Sequence, residues 1–431
     1  MVTRDTEWRR REFVKAAVAI GGTSALAACT DRLPGGGPDV PSGSDPSTRP
    51  AGQHAWNAAL PTDEHGNVRN ARHHILLLLD LSDEGPPTSD TRAAVETALN
   101  DLGRAYEWSA DGLLFTVGYS PYYFERFDAG LPESVDLPKP EALSSFEDPA
   151  LDDPDAVVHL ASDHGPVVLE AEAALRGNRE QANGYAMDAA LTDALAVRDR
   201  RTGFVGAGLP ADHQDVEGIP DSEPVPEDAP LYMGFKSGFK GNQASEERVT
   251  IEHGPFTKGT TEHVSKLRLR LEDWYGEQDH DDRVAEMFCP VHAAEDRIPE
   301  GGTGESLGDD SGMGEECVDV EESAREYARI GHSQKMAADA REDGSPLILR
   351  RDFDSTADNS ASLHFVALQE GIADFVETRE AMNGEKYTDN PAIRQRVNNG
   401  ILEYTFVRRR GNYLVPPRAL RALPTPTGGP E

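Results

Sequence analysis

Positive charge is scarce in this 431-residue sequence: 42 Lys and Arg stand against 77 Asp and Glu, which gives a formal net charge of −35. Such an excess of negative charge argues against nucleic acid and anionic membrane surfaces as partners, because both would repel the chain. The acidic residues are spread through most of the sequence, and lysine is rarer than arginine. We therefore expect a halophilic protein adapted to high salt, with an acidic cation-binding site as the alternative.

Long apolar runs are missing as well. The apolar stretch 16–28 is too short, and too rich in Gly and Ala, to make a good membrane span. It follows Arg10 and Arg11, and twin arginines ahead of a moderately apolar segment are typical of a Tat export signal. We predict that residues 1–28 form a signal peptide that takes no part in the fold.

Cysteine occurs only three times. Cys29 ends the run Leu26-Ala27-Ala28-Cys29, which resembles a lipobox; a buried free thiol is the alternative. Lipidation of Cys29 would anchor the exported protein to the outer face of the cytoplasmic membrane. Residues 29–69 are predicted to form a flexible tether, because the stretch 34–52 is dense in Pro, Gly and Ser and offers little apolar surface to bury.

Cys289 and Cys317 remain as an even pair, and an exported protein can keep a disulfide. The run Cys289-Pro290-Val291-His292 together with Cys317 also allows a metal site, although it offers no obvious fourth ligand. Two free thiols are the third possibility. The sequence leaves these three interpretations open.

The length allows two domains of ordinary size. In the first, over residues 70–205, the apolar patterns predict strands at 75–79, 113–119 and 156–160. They also predict a helix that spans 94–106, capped by Ser89 or Asp90, and another over 166–175. Strand, helix, strand, strand, helix is a ferredoxin-like order.

A loop rich in Pro, Asp and Glu, 210–230, is expected to separate this domain from a second one over residues 228–420. The second domain mixes strands and helices in an α+β pattern. The expected elements are strands at 264–271, 346–350 and 363–368, a helix before Gly331, a helix over 372–382, an acidic surface insertion over 299–322, and two short strands around Gly411.

Three features of the second domain together resemble the dye-decolourising (DyP-type) peroxidase family. They are the run 234–238, the pair His332 and Arg350 with their eighteen-residue separation, and the segment 363–369. The ending of the chain resembles the exported, deferrochelatase-like branch of that family. The resemblance covers about 72–420 and implies duplicated ferredoxin-like domains of the dimeric α+β barrel superfamily, with one haem b per chain. A homo-oligomer is compatible with it.

The resemblance also implies roles for single residues. His332 would be the haem iron ligand, with Asp389 as the carboxylate that holds its other ring nitrogen. Phe365 would lie on the wall of the haem site. Arg350 would stabilise a bound peroxide with its fixed positive charge. The family carries an aspartate where this chain has Ser237, which cannot act as a base near neutral pH.

Splitting peroxide needs a proton to move between its oxygens, a step that a carboxylate normally assists. Because side chains two apart on a strand share a face, Asp352 could replace the missing aspartate beside Arg350. The sequence thus favours a haem-dependent peroxidase that reduces hydrogen peroxide with an unknown electron donor. The alternative is a non-catalytic surface lipoprotein that binds or handles haem, and the change to Ser237 is the feature that keeps this alternative open.

Overall fold

The computed structural model describes residues 39–428, so the predicted signal peptide, the lipidation site at Cys29 and the start of the tether lie outside the described residues. The strands of the described part are β1 His73–Leu81, β2 Leu114–Tyr119, β3 Ala150–Leu151, β4 Ala156–Ser162, β5 Gln181–Ala182, β6 Tyr185–Ala186, β7 Leu195–Phe204, β8 Thr260–Leu269, β9 Arg341–Glu342, β10 Ser345–Pro346, β11 Leu349–Arg350, β12 Phe353–Ser355, β13 Ser362–Gln369 and β14 Thr405–Val415. The α-helices are α1 Ser89–Ala105, α2 Pro121–Phe124, α3 Gly165–Leu175, α4 Leu271–Gly276, α5 His280–Met287, α6 Pro290–Ala294, α7 Glu315–Val318, α8 Val320–Tyr327, α9 His332–Asp339 and α10 Ile372–Asn383.

The first half of the protein forms an antiparallel sheet in the order β7-β1-β4-β2, with α1 and α3 as its crossover helices. Numbered by their sequence in this half, these strands lie in the order 4-1-3-2, which is the ferredoxin-like arrangement. The second half repeats it with β8, β12, β13 and β14, in the spatial order β12-β13-β8-β14. The duplicated ferredoxin-like α+β fold expected from the sequence is therefore confirmed.

The two sheets join edge to edge. Asp354 of β12 pairs with Phe204 of β7, and Leu414 of β14 pairs with Tyr119 of β2. Since each sheet supplies both of its edges, the eight strands close into an antiparallel ring, and none of these edges is left unpaired. β11 pairs with the end of β13 next to β12, and β3 pairs with β14.

Alternation along each strand separates two cores. Leu76 and Leu78 of β1 point into the ring, where they pack with Val264 and Val366 of the second half. The intervening residues Ile75, Leu77 and Leu79 face outward and pack against the apolar sides of α1 and α3. In the first half, the main core thus lies between the outward face of the sheet and the helices that cover it. In the second half, the candidate site lies on the corresponding outward face.

The segment before the first strand does not form the predicted tether over its described part. Gln53 and Trp56 are buried, and Gln53 donates and accepts hydrogen bonds with the backbone of Val117. Gly43 approaches α1 so closely that a Cβ there would lie 2.4 Å from the Gly103 carbonyl oxygen. The small residues of this segment therefore allow close packing, and the tether prediction is wrong from about residue 39 onward.

Several elements differ in detail from the prediction. The side chain of Thr88, not Ser89 or Asp90, accepts the N-cap hydrogen bond of α1, from the backbone N–H of Thr91. The ending of the chain is one strand, β14, and not two. Gly411 lies within this strand, at a position where a Cβ would lie 2.7 Å from the Tyr413 hydroxyl oxygen. Only Leu349 and Arg350 of the predicted strand 346–350 join the main sheet.

The Pro- and acid-rich loop 210–230 packs against the second half through Ile219, Val225 and Ala229. The strands of the two sheets span 73–204 and 260–415, inside the predicted domain limits. Among the helices of residues 39–428, none is both long and apolar enough to cross a membrane.

Candidate active site

A deep cavity lies between the outward face of the second sheet and the short helices that follow β8. Its volume, including the part open to solvent, is about 1550 Å³. The sheet side is formed by β8, β13 and β14, and the helix side by α9 and α10. Most of the lining is apolar, and its apolar members include Met233, Phe235, Leu267, Leu269, Met336, Ile348, Leu363, Phe365 and Ile401. Phe365 therefore lies on the wall of the cavity.

His332 is the first residue of α9 and lines this cavity. Two glycines make room for it. A Cβ at Gly331 would lie 1.9 Å from the Phe288 carbonyl oxygen. Gly400 has a φ of +63°, and a Cβ there would lie 2.9 Å from the His332 backbone nitrogen. Burial lowers the pKa of His332 to about 3, and the nearby charges of Lys335 and Arg350 act in the same direction. The imidazole is therefore neutral at physiological pH, which is the form that binds a metal ion.

The structure does not join Asp389 to His332. Asp389 is exposed in the turn after α10, and Nδ1 of His332 is buried with no hydrogen-bond partner among residues 39–428. The nearby polar group is instead Lys335, one turn further along α9. The predicted carboxylate partner is thus wrong for the described geometry, because the chain segment that carries Asp389 turns out to solvent.

Lys335 is fully buried, and it forms no ion pair with a carboxylate of residues 39–428. Its Nζ donates to the Met382 carbonyl oxygen at 2.7 Å, to the Asn399 carbonyl oxygen at 3.0 Å and to Asn399 Oδ1 at 2.6 Å. Burial holds the pKa of Lys335 well below its ordinary value. Lys335 could not be singled out from the sequence, because a lysine at helical spacing is normally a surface residue.

Arg350 and Asp352 lie together on the wall of the same cavity. Arg350 Nη1 is 3.8 Å from Asp352 Oδ2, and the backbone N–H of Val366 donates to Asp352 Oδ1 at 3.1 Å. The backbone N–H of Arg350 donates to Gln243 Oε1 at 2.9 Å, which fixes the strand end that carries the guanidinium. The structure therefore places the predicted pair side by side.

Burial raises the pKa of Asp352 to about 6, against the opposing effects of Arg350, Arg351 and the Val366 hydrogen bond. A carboxyl group that titrates near neutral pH can both accept and donate a proton, which is the property of a general acid-base. Asp354 lies behind it, accepts a hydrogen bond from the Tyr232 backbone N–H, and also has a pKa raised by burial. Nothing in the sequence distinguishes Asp354 from other carboxylates.

Ser237 lines both this cavity and a second, polar cleft that meets it at Arg350 and Asp352. The second cleft has an empty volume of about 2540 Å³ and runs between the two halves of the protein. Its walls carry charges of both signs, including the ion pair of Lys236 with Asp63. A small polar molecule thus has a route to Arg350 that does not cross the apolar cavity.

Arginines Arg379 and Arg410 also line the cavity, and both bind Glu147 from the first half. Arg410 Nη2 donates to Glu147 Oε2 at 2.7 Å. This contact ties a loop of the first half to the wall of the site. Sequence reasoning could not find it, because residues more than two hundred positions apart form it.

Cys289 and Cys317 are joined as a disulfide, one of the three interpretations that the sequence left open. His292 lies against both sulfurs. Its Nδ1 is 3.0 Å from Cys289 Sγ and 3.3 Å from Cys317 Sγ. All three side chains are buried.

A known family covers most of the sequence. Its description is a family of unknown function, DUF7405, and it matches residues 71–417. The chain belongs to the DUF7405 family. No curated protein matches the sequence.

Solved structures show which fold this DUF7405 protein shares. A variant of DypB from Rhodococcus jostii RHA1, in complex with heme, is 14% identical at a TM-score of 0.53, over 86% of this chain and 98% of that one. The encapsulated DyP-type peroxidase from Mycobacterium smegmatis is 12% identical at a TM-score of 0.52, over 86% of this chain and 99% of that one. The DUF7405 protein therefore has a peroxidase-like fold, and at these identities the likeness shows the fold alone.

Proposed function

We propose that this protein is a haem-dependent peroxidase that binds one haem b per chain and reduces hydrogen peroxide with electrons from a donor of unknown identity. One observation carries the proposal: a neutral histidine, His332, and a pair of proton- and charge-handling residues, Arg350 and Asp352, line one apolar cavity. The fold that it shares with a heme complex of DypB supports this assignment.

The residues of the cavity fit a haem. The lining is mainly apolar, as a porphyrin face requires, and Arg341 at the cavity wall suits one of its carboxylate groups. His332 offers the neutral nitrogen that iron takes as an axial ligand. Haem bound there would supply the iron that holds peroxide and accepts electrons.

Arg350 and Asp352 would have different roles in the reaction with peroxide. The guanidinium stabilises negative charge on the oxygen that leaves. Asp352 Oδ2 takes a proton from one peroxide oxygen and returns it to the other, a role that its pKa near 6 allows. Ser237 lies on the same wall but supplies no base.

Rapid mixing of the haem-loaded protein with hydrogen peroxide tests the proposal. Arg350→Leu should slow the reaction by about a hundredfold or more, as the loss of one positioned oxyanion donor does in other enzymes. Ser237→Asp should raise the rate, because it adds a proton acceptor to the cavity wall. If the wild type binds haem tightly but reacts no faster than free haem, the peroxidase proposal fails and a haem-handling role stands in its place.

We also propose that the protein is exported through the Tat pathway and anchored by a lipid on Cys29. The twin arginines and the short apolar segment of the sequence support this location. Replacing Arg10 and Arg11 with Lys should leave an uncleaved precursor in the cytoplasm, and Cys29→Ser should release the exported protein from the membrane. Cell fractionation measures both results, and continued membrane anchoring of the two variants would contradict the proposal.

A further inference from the structure

Cys289, His292 and Cys317 form a compact cluster outside the cavity. Their potential ligand atoms, the two Sγ atoms and one ring nitrogen of His292, all lie within 4.8 Å of one another. The three side chains are fully buried, at 0% exposure each. Nδ1 of His292 contacts both sulfurs, so the ring is aimed at the pair and not at solvent.

This donor set is that of a soft or borderline cation. Two thiolates and one imidazole are ligands that Zn²⁺ takes in proteins, with Zn–S near 2.3 Å and Zn–N near 2.0 Å. Tetrahedral coordination at those lengths separates two sulfurs by roughly 3.7 Å. The Cα atoms of Cys289 and Cys317 are 5.9 Å apart, which allows either a disulfide or two sulfurs that share an ion.

We propose that Cys289, His292 and Cys317 bind a thiophilic cation, with Zn²⁺ as the representative ion, when the two cysteines are reduced, and that peroxide converts this site to the disulfide and expels the ion. Two thiolates on one divalent cation make a neutral unit, which lowers the cost of burial. A water molecule completes the coordination. The proposal does not depend on haem binding.

The redox step balances. Each bound thiolate gives up one electron, the two sulfurs form one S–S bond, and the O–O bond of hydrogen peroxide breaks. Two protons from solvent complete two water molecules, and Zn²⁺ leaves with its charge unchanged. Peroxide is the two-electron oxidant, and a thiol reductant reverses the change.

The surroundings suit a site that gains and loses a cation. Cys317 lies in the acidic insertion, directly after Glu315 and Glu316, and a run of negative charge raises the local concentration of cations. On the other side, Cys289 directly follows Phe288, whose carbonyl oxygen accepts a hydrogen bond from the Gln334 N–H at 3.1 Å. The cluster therefore braces the helix that begins with His332.

Zinc binding by the full-length chain tests the proposal. Cys29→Ser provides the background, so that Cys289 and Cys317 are the remaining cysteines. The protein is reduced, freed of reductant without oxygen, and equilibrated with Zn²⁺ in the salt in which it is folded. We expect one Zn²⁺ per reduced chain by elemental analysis and none per oxidised chain. Hydrogen peroxide should then release one Zn²⁺ for every two thiols lost.

Variants identify the ligands. Outer-shell partners of metal ligands are typically worth ten- to a hundredfold in affinity, so His292→Ala should lower zinc affinity by at least about a hundredfold. His253→Ala is the matched control, because His253 is exposed and outside the cluster, and it should leave zinc affinity unchanged.

If His292→Ala fails to fold, melting temperatures of the wild type alone still test the proposal. Zn²⁺ should raise the melting temperature of the reduced protein and leave that of the oxidised protein unchanged. Reduced protein that binds no zinc, or binds it as tightly without His292, would overturn the proposal.

Discussion

The two halves of this protein share one topology but use it differently. In the first half, β1 is joined to β2 through one long helix, α1, which covers the outward face of the sheet and fills it with apolar contacts. In the second half, the connection from β8 to β12 spans residues 270–352 and is divided among the short helices α4 to α9. These helices stand away from the sheet and leave the cavity open.

The comparison indicates that the site depends on the connection and not on the sheet. Equivalent outward positions are Ile75 and Leu77 in the first half and Leu267 and Leu269 in the second, and all four are apolar. The two halves differ in the helix that faces these positions: α1 presents apolar residues at helical spacing, whereas α9 presents His332. The candidate site lies where the second copy does not fill its own core.

The largest effect we expect in the second half comes from Asp352→Asn. It removes the carboxylate that moves the proton, so the reaction of the haem-loaded protein with peroxide should slow by on the order of a hundredfold or more. The wild-type rate should rise as pH passes through about 6, because Asp352 must be ionised to accept a proton and its pKa is raised to about 6. Stopped-flow rates between acid and neutral pH measure both effects.

The variant itself should show no such rise near pH 6. Ser237→Asp in the Asp352→Asn background is the matched rescue, because it returns a carboxylate to the same wall. An Asp352→Asn protein with the wild-type rate and pH profile would remove Asp352 from the mechanism.

A smaller effect, on the free energy of unfolding, should distinguish the first half, whose core is filled, from the second half, which contains the cavity. Leu99 of α1 is fully buried in the first half's core, so Leu99→Ala should lower the free energy of unfolding by about 2–5 kcal/mol. Met336 of α9 is half-buried and faces the cavity, so Met336→Ala in the haem-free protein should cost only about 1 kcal/mol. Denaturant titration compares the two variants, and equal costs would show that the second half is packed as tightly as the first.

The sequence predicted the repeated strands and helices wherever their apolar periodicity was strong, as in β1, β4 and α10. It missed β7, whose run Asp199-Arg200-Arg201 is charged, and β12, which is three residues long. In β7, ion pairs compensate for burial: Arg201 Nη2 binds Asp152 Oδ1 at 2.7 Å. Partners so distant in sequence leave no local pattern.

The residues of the candidate site likewise fall into those that the sequence predicts and those that it does not. The family resemblance implied His332 and Arg350, and strand alternation suggested Asp352, because the order of motifs and the alternation of side chains can be read locally. The exposure of Asp389, the buried Lys335 and the contact of His292 with both cysteines could not be predicted, since each depends on how distant segments pack.

The most direct test of the account is a haem titration of the wild type and of His332→Ala, followed by visible spectroscopy. The account predicts that the wild type binds one haem per chain with the spectrum of a histidine-ligated ferric iron, and that His332→Ala loses haem or shifts that spectrum. His280→Ala is the control, because His280 lies on α5, its Nε2 donates to the Ile298 carbonyl oxygen at 2.7 Å, and it does not line the cavity. Unchanged haem content and an unchanged spectrum in His332→Ala would contradict the central claim that this histidine and the open second half form the haem site.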